Sequence, residues 1–191
     1  MNKRCRAITQ DEYKKIISTI REGFNYKGQK VKGNERIAVA LVLEANLGIR
    51  ISDILNLHMT DFIKDGNRYR IDIVEQKTLK IREFTIPIEV FSYIQAYSIE
   101  YGISKNAKLF SIHTRVVQKH LKMVAEVLEL ERIGTHSMRK FFSSKIYVDS
   151  GYNIELVRKL LQHSSVAITQ RYISIESKEV ENALNNHICL P

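Results

Sequence analysis

A histidine and a tyrosine nine positions apart mark a candidate chemical site near the end of the chain, in the segment LLQHSSVAITQRYI. His163 lies at the end of one predicted helix and Tyr172 just inside the next. A tyrosine hydroxyl, whose ordinary pKa is about 10, becomes a useful nucleophile when neighbouring cations stabilise the phenolate or a histidine takes its proton. Both residue types also pack half-buried in ordinary folds. The pair alone therefore leaves nucleophilic chemistry and simple packing open.

Two further segments place arginines beside predicted helix starts. In GIRISDIL, Arg50 follows a helix end, Ser52 is positioned to cap a new turn, and Asp53 lies close by. In THSMRKFF, His136 and Arg139 are three positions apart and so share one face of a helix start. Neither segment is specific by itself. Arg50 could be an ordinary surface arginine, and an HxxR match arises easily by chance.

A third segment, EQKTLK, places Lys77 near the turn of a predicted β-hairpin, and Lys80 and Arg82 on the following strand are competing candidates for its role. Displacement at a phosphodiester builds charge on two non-bridging oxygens, which arginine forks bind more strongly as that charge grows. A lysine is suited to protonating the departing sugar oxygen. These residue types are coherent as a phosphoryl-transfer site, although the three hairpin cations could also serve only as phosphate contacts.

Several common catalytic arrangements are absent from the sequence. It has no glycine-rich phosphate loop and no dinucleotide fingerprint, its cysteines and histidines do not occur at zinc spacing, and no carboxylate cluster is placed to hold two metals. We therefore expect neither a metal nor a cofactor. Cys5 and Cys189 lie at opposite ends of the chain and form no disulfide framework, which is typical of a reducing cytoplasm.

The composition is that of a globular protein with a polyanionic partner. The 191 residues fit one domain, and the longest apolar run, IAVALVL, is far too short to span a membrane. Thirty Lys and Arg against 21 Asp and Glu give a net charge of +9, and the first 33 residues hold nine basic and three acidic residues. Such a surplus favours a nucleic acid partner, although a solvated basic tail would give the same count. The opening MNKRCRAITQ lacks the apolar core of a secretory signal, so we expect a cytoplasmic protein.

Hydrophobic periodicity predicts a mainly α single domain over 1–191 with a small antiparallel β-sheet or hairpin (α+β), preceded by a basic segment at 1–8. A capping box of Thr9 and Glu12 opens the first helix, residues 24–34 form a basic loop, and an apolar helix runs from Asn34 to Leu47. Residues 69–86 alternate with period two and predict a hairpin with QKTLK in its turn. Helical stripes or starts follow at Val90, Ile94, Tyr97 and Tyr101, at Val117, Leu121, Val124 and Leu128, over about 137–149, and from Asn153 to Leu161.

Four segments, NLGIRISDILNLHMTDF, EQKTLKIREFTIP, GTHSMRKFF and LLQHSSVAITQRYI, occur in this order and resemble the conserved boxes of the tyrosine recombinase (phage integrase) family. The resemblance extends from about residue 7 to residue 176. It implies the catalytic-domain fold of that family and a metal-free strand transferase that cuts double-stranded DNA at a specific site. In such an enzyme the tyrosine becomes joined to a 3′-phosphate and a 5′-hydroxyl is released. The family also implies a bacterial or phage-derived, nucleoid-associated protein.

The resemblance assigns roles to individual positions. The implied catalytic residues are Arg50, Lys77, His136, Arg139, His163 and the nucleophile Tyr172, with Asp53 as the acidic residue that supports Arg50. Lys80, Arg82 and Lys140 are expected to contact DNA. Two positions depart from the family pattern: Lys140 replaces a common histidine, and Gln162 replaces a glycine that would permit a left-handed turn before His163.

Length is a further departure, because typical members carry an N-terminal core-binding domain that completes a clamp around DNA, and we expect that domain to be absent here. The chain is either a fragment of a longer integrase or a short single-domain member such as the fimbrial phase-switch invertases. Residues 176–191 predict a tail helix with Val180, Ala183, Leu184, His187 and Ile188 on one face. That face packs on its own domain or, as the family implies, docks on a neighbouring protomer in a homotetramer on DNA. Without DNA we expect a monomer or weak oligomer.

Three other functions account for part of the sequence. A non-catalytic DNA-binding regulator would explain the charge and the helices, but it would not need Tyr172. A type IB topoisomerase would use the same chemistry as a monomer without a specific target site. An RNA-directed nuclease is a third alternative, although no pattern of base-stacking aromatic residues supports it.

Overall fold

The first helix, α1 (Gln10–Glu22), begins at the predicted capping box. Thr9 Oγ1 accepts a hydrogen bond from the backbone of Glu12 at 3.2 Å, and the Glu12 carboxylate accepts one from the backbone of Thr9 at 2.9 Å. The Arg6 guanidinium binds the same carboxylate at 2.6 and 2.7 Å, which ties the N-terminal segment to the helix.

The computed structural model describes residues 5–173 together with positions 185 and 187.

Residues 24–34, predicted to be a basic loop, instead contribute to a β-hairpin, so that prediction is wrong. Strand β1 (Gly23–Tyr26) pairs antiparallel with β2 (Gln29–Lys32). Lys27 and Gly28 both have positive φ angles, which is the backbone geometry of a tight two-residue hairpin turn. The hairpin packs through Phe24, whose ring meets the buried His120 ring edge-on at 5.4 Å. The lysines on its outer face make the alternation of apolar and polar residues hard to recognise in the sequence.

Helix α2 (Glu35–Leu47) forms the centre of the core and ends at Gly48, as predicted. Asn34 caps its start, and Gly48 takes the left-handed conformation at its end, where a Cβ atom would collide with the ring of Phe142. The short helix α3 (Ile51–Ile54) follows at once. Its N-cap residue is Arg50, without any side-chain cap bond, so the prediction that Ser52 caps this turn is wrong.

A three-stranded antiparallel sheet follows, preceded by a single 3-10 turn (Met59–Asp61). The predicted hairpin is formed by β4 (Arg68–Val74) and β5 (Ile81–Ile86), and β3 (Phe62–Asp65), which the sequence did not predict, pairs with β4 on the other side. Ile71 and Ile86 face the core. The loop at 75–80 projects from this sheet with two lysines exposed at its tip.

The remaining elements are helical. They are α4 (Ile88–Glu100), α5 (Thr114–Val127), α6 (Thr135–Asp149), α7 (Ile154–Leu161) and α8 (Val166–Gln170). Asn153 caps α7 as predicted, and α6 begins two residues earlier than expected. One large core joins α1, α2, α4, α5 and the sheet, while a smaller cluster of Phe142, Val157 and Leu161 packs α6 against α7.

The predicted mainly helical domain with a small antiparallel sheet is thus confirmed. The tail helix expected over 176–191 lies outside the described residues, apart from positions 185 and 187. Among the helices that are described, none has the length and apolar character needed to cross a membrane.

Candidate active site

Five of the six predicted catalytic residues line one open cavity of about 450 Å³. The walls come from five parts of the chain: the corner between α2 and α3, the 75–80 loop, the start of α5, the start of α6, and the α7–α8 corner. Arg50, Lys77, His136, His163 and Tyr172 all contribute to its lining. Residues separated by up to 122 positions in the sequence therefore meet around a single space.

Tyr172 lies two residues after the end of α8, not just inside that helix as predicted, and its half-buried ring is among the predicted histidines and Arg139. The ring centroid is 4.7 Å from that of His163 and 6.5 Å from that of His136. The guanidinium carbon of Arg139 lies 5.7 Å from the Tyr172 ring centroid. The predicted nucleophile therefore lies beside a guanidinium and between two imidazoles.

Arg139 is the one predicted catalytic residue that does not line the cavity. Its side chain is fully buried beneath Tyr172, and its Nη2 donates to the carbonyl oxygen of Leu161 at 3.0 Å. Burial lowers the pKa of Arg139 to about 10, with the charges of Arg82 and Arg50 acting in the same direction, so the group stays positive at neutral pH. Its Nε and Nη1 atoms have no hydrogen-bond partner among the described residues.

His163 is buried at the corner between α7 and α8. Its Nδ1 lies 3.1 Å from Thr169 Oγ1, and its carbonyl oxygen accepts a hydrogen bond from Arg158 at 2.8 Å. Burial lowers the pKa of His163 to about 4, and the positive charge of Arg139 contributes to that shift. The imidazole is therefore neutral at pH 7 and can accept a proton or share a hydrogen bond.

His136 is exposed at the start of α6. Desolvation by surrounding protein atoms lowers its pKa, and the charges of Arg139 and Arg50 lower it further. Both histidines of the cavity are thus pushed towards the neutral form. The prediction that His136 and Arg139 share one face of a helix start holds only in part, because Arg139 points into the protein while His136 reaches the cavity.

Arg50 is held by a carboxylate that the sequence reasoning missed. Its Nη1 donates to Glu75 Oε2 at 2.5 Å, and Glu75 also accepts from Thr78 Oγ1 at 2.7 Å and from Arg82 Nη1 at 3.1 Å. Burial alone would raise the pKa of Glu75. The hydrogen bonds from Thr78, Arg50 and Arg82 outweigh that effect and lower the pKa to about 2. The carboxylate is therefore ionised and links Arg50 to the base of the 75–80 loop.

Asp53 lies close to Arg50 but forms its hydrogen bond elsewhere. Its Oδ1 accepts a hydrogen bond from the backbone of Gln76 at 3.0 Å, whereas the carboxylate bonded to Arg50 is that of Glu75. Asp53 is buried, and burial raises its pKa. The carboxylate bonded to Arg50 thus comes from 25 positions away, and the supporting role of Asp53 stays a prediction.

Arg82 is not a surface cation, so the expectation that it contacts DNA is not met. Only 1% of the residue is exposed, and its Nη2 donates to the carbonyl oxygens of Leu47 and Leu160 at 3.2 and 2.7 Å. The side chain fastens β5 to α2 and α7. Lys80 is exposed at the cavity edge, whereas the Lys140 ammonium donates to the backbone oxygen of Cys5 at 2.7 Å. A DNA contact by either lysine stays a prediction.

The sequence model of the Phage integrase family matches residues 6–179. The chain belongs to this family. The match spans every residue of the cavity described above. Membership in this family thus accounts both for the order of the four sequence segments and for their meeting at one cavity.

Two curated relatives illustrate the range of this phage integrase family. "Probable integrase/recombinase YoeC" of Bacillus subtilis is 35% identical over 150 residues, which is 75% of this chain and 80% of the relative. "Tyrosine recombinase XerC" of Caldanaerobacter subterraneus is 25% identical over 189 residues, which is 94% of this chain and 50% of the relative. The chain thus spans about half the length of XerC.

Two solved structures share the fold of this family member. The XerH site-specific recombinase, bound to palindromic difH substrate in a post-cleavage complex, superposes with a TM-score of 0.72 at 20% identity, covering 94% of this chain and 52% of that one. The catalytic domain of bacteriophage HP1 integrase superposes with a TM-score of 0.65 at 19% identity, covering 96% and 95%. The predicted catalytic-domain fold is confirmed.

A second carboxyl group in this phage integrase domain also escaped the sequence reasoning. Glu44, in the last turn of α2, lines the cavity, is 1% exposed, and has no partner for its Oε2 among the described residues. Burial raises its pKa well above the ordinary value, against the opposing effect of Arg139. An acidic residue inside the otherwise apolar stretch IAVALVLEA was the signal in the sequence.

Proposed function

We propose that this chain is the catalytic domain of a site-specific recombinase that cleaves and rejoins duplex DNA through a covalent 3′-phosphotyrosyl intermediate. The observation that carries the proposal is the meeting of Tyr172, two histidines, Arg50 and Lys77 around one cavity. Membership in the phage integrase family supports it. The proposed reactions are the integration, excision or inversion of DNA segments.

In the cleavage step, the Tyr172 oxygen attacks the phosphorus of a DNA phosphodiester. The new bond joins the tyrosine oxygen to the 3′-phosphate, and the bond from phosphorus to the 5′-oxygen breaks. The phenolic proton passes to a neutral imidazole of the pair His136 and His163, both of which have lowered pKa values. Lys77 supplies a proton to the leaving 5′-oxygen, so that a 5′-hydroxyl is released.

Two arginines would stabilise the charge that grows on the non-bridging oxygens during this step. Arg50 reaches the cavity while Glu75 fixes its orientation, and the guanidinium needs no reorganisation during the reaction. Arg139 retains two N–H groups, at Nε and Nη1, without partners among the described residues. We propose that these groups bind the phosphate once DNA displaces the Tyr172 ring that covers them.

Rejoining is the reverse reaction with a different strand. A 5′-hydroxyl from a partner duplex attacks the phosphotyrosyl bond, Tyr172 is released, and its oxygen regains a proton. Because one phosphate ester replaces another, the exchange conserves bond energy and needs no nucleotide cofactor. We propose that the arginines and Lys77 supply the electrostatic and acid catalysis without a metal ion.

The proposed partner is double-stranded DNA, bound by four copies of the chain during strand exchange and by a monomer or weak oligomer otherwise. The net charge of +9 supports phosphate contacts. XerH bound to palindromic difH substrate and the Tn1549 transposon integrase in complex with a circular intermediate DNA support the same partner. A cytoplasmic, nucleoid-associated location follows from this proposal.

The test is strand exchange on DNA taken from either side of the coding region, since a recombinase commonly acts beside its own gene. We expect two labelled duplexes carrying the target to yield recombinant joints. A Tyr172→Phe variant should bind the same DNA and form none. Unchanged activity of Tyr172→Phe would favour a regulator, and relaxation of supercoiled plasmid without any target would favour a topoisomerase.

A further inference from the structure

Gln162 connects the end of α7 to the start of β5. Its backbone is left-handed, with φ 53° and ψ 37°, a conformation that glycine adopts at lower cost than a residue with a Cβ atom. Its Nε2 donates to the carbonyl oxygen of Ile81 at 2.9 Å. A glycine would relieve the backbone but would leave that carbonyl without this partner. The side chain therefore performs a task that the turn alone does not require.

The hydrogen bond from Gln162 ends at the base of the 75–80 loop. Ile81 is the first residue of β5 and pairs with Val74, the last residue of β4. Between them, the backbone N–H of Glu75 donates to the carbonyl oxygen of Lys80 at 3.0 Å and closes the loop. Fixing Ile81 therefore fixes the point from which the loop at 75–80 projects.

Arg82 provides a second tie between the same two elements, because its Nη2 reaches the carbonyl oxygen of Leu160 at 2.7 Å. The two ties differ in what else they hold. Arg82 is fully buried and also binds Glu75 and Leu47, so its removal would disturb the core. Gln162 is half-buried, and its Oε1 has no partner among the described residues, so its amide acts through the single bond to Ile81.

The residue after Gln162 is His163, whose ring lies 4.7 Å from that of Tyr172. One side chain thus spans the distance between the histidine–tyrosine pair and the loop that carries Lys77, and all four residues line the same cavity. We propose that Gln162 is a positioning residue that holds Lys77 in register with Tyr172. This inference rests on the proposed function, in which Lys77 protonates the leaving 5′-oxygen.

The experiment separates proton donation from nucleophilic attack. The variant Gln162→Met keeps the length of the side chain and removes the donor to Ile81. Two target duplexes are cleaved, one natural and one with sulfur in place of the bridging 5′-oxygen, because a thiolate leaves without needing a proton. We expect Gln162→Met to cleave the oxygen substrate at least about tenfold more slowly and the sulfur substrate at the parent rate, as Lys77→Ala should.

Two control variants accompany Gln162→Met. Gln29→Met removes an exposed amide from β2, which contributes no residue to the cavity lining, and should leave both rates unchanged. Gln162→Gly relaxes the backbone while also removing the bond, and should behave like Gln162→Met. The proposal would be overturned if Gln162→Met cleaved the oxygen substrate at the parent rate. It would also be overturned if cleavage were slower and the sulfur substrate did not restore it, because Gln162 would then act on His163 or Tyr172 instead.

A measurement without DNA tests the tie independently of cleavage. The amide protons of Glu75 and Leu79 are hydrogen-bonded within the loop, to Lys80 and Glu75 respectively. In Gln162→Met we expect both amides to exchange with solvent several-fold faster while the melting temperature of the domain stays the same. Unchanged exchange would overturn the positioning role even in an active enzyme. If the parent cleaves neither duplex, the proposed function fails, and the exchange rates still decide whether Gln162 holds the loop.

Discussion

Arg50 and Glu75 form an ion pair in which Nη1 lies 2.5 Å from Oε2, and only 1% of the Glu75 side chain is exposed. The same carboxylate accepts from Arg82, which is also buried. Two cations therefore share one anion at the junction of the cavity and the sheet. This arrangement makes Glu75 important both for the stability of the domain and for the orientation of Arg50.

Glu75→Ala should destabilise the domain strongly, because it leaves Arg82 buried without its carboxylate. Breaking a buried ion pair in this way costs about 3–5 kcal/mol in the free energy of unfolding. Denaturant titration of parent and variant measures the difference. The matched control is Glu83→Ala, which breaks the exposed pair with Arg70 on the same sheet and should cost no more than about 1 kcal/mol. Equal losses in the two variants would contradict this account of Glu75.

His163 should titrate near pH 4, far below the value of about 6.5 that is usual for an exposed histidine. The unfolded chain then binds a proton at higher pH than the folded one. The stability contributed by the neutral, buried ring is therefore complete above pH 6.5 or so and is lost as the pH falls towards 4. The imidazole proton resonances followed by NMR between about pH 7 and 4 measure this. A midpoint close to the ordinary value would show that the ring is more solvated than its burial indicates.

DNA cleavage should persist in the presence of EDTA, because the proposed mechanism assigns charge stabilisation to Arg50 and Arg139. The measurement compares the rate of covalent adduct formation with chelator, without chelator, and after addition of magnesium. We expect three equal rates. Loss of cleavage in EDTA that magnesium restores would show that a metal ion takes part in the reaction.

Binding to duplex DNA should weaken steeply as salt concentration rises. The excess of basic residues predicts many phosphate contacts, and each contact releases counterions on binding, so affinity falls with nearly the first power of salt for every phosphate neutralised. Equilibrium binding between about 50 and 200 mM salt gives the slope. A slope near zero would mean that phosphate contacts contribute little, contrary to the role inferred from the charge.

Most of the site could be predicted from the sequence, because its residues lie at helix ends that leave local signals. Gly48 marks the end of α2, Asn153 caps α7, and the left-handed turn expected before His163 is present at Gln162. The resemblance to the family then assigned roles. Local signals of this kind survive in a single sequence because each depends on only a few neighbouring residues.

The errors concern contacts made across long separations. Glu75, the carboxylate bonded to Arg50, was missed because it lies 25 positions away and only the packing of the hairpin brings the two side chains together. Arg82 was taken as a surface cation, although period two along β5 puts it on the face of Ile86, which is buried. The β1–β2 hairpin was missed because its lysines obscure the alternation. Only tertiary packing fixes these partners.

The measurement that most directly tests the central claim is the identification of the residue that becomes bonded to DNA. The protein is incubated with a target duplex nicked near the cleavage site, so that the 5′-hydroxyl fragment diffuses away and the covalent adduct accumulates. Digestion and mass spectrometry then locate the nucleotide on a peptide. We predict a 3′-phosphate ester on Tyr172, and no adduct with Tyr172→Phe. An adduct on Tyr147 or Tyr152, neither of which lines the cavity, would contradict the proposed mechanism.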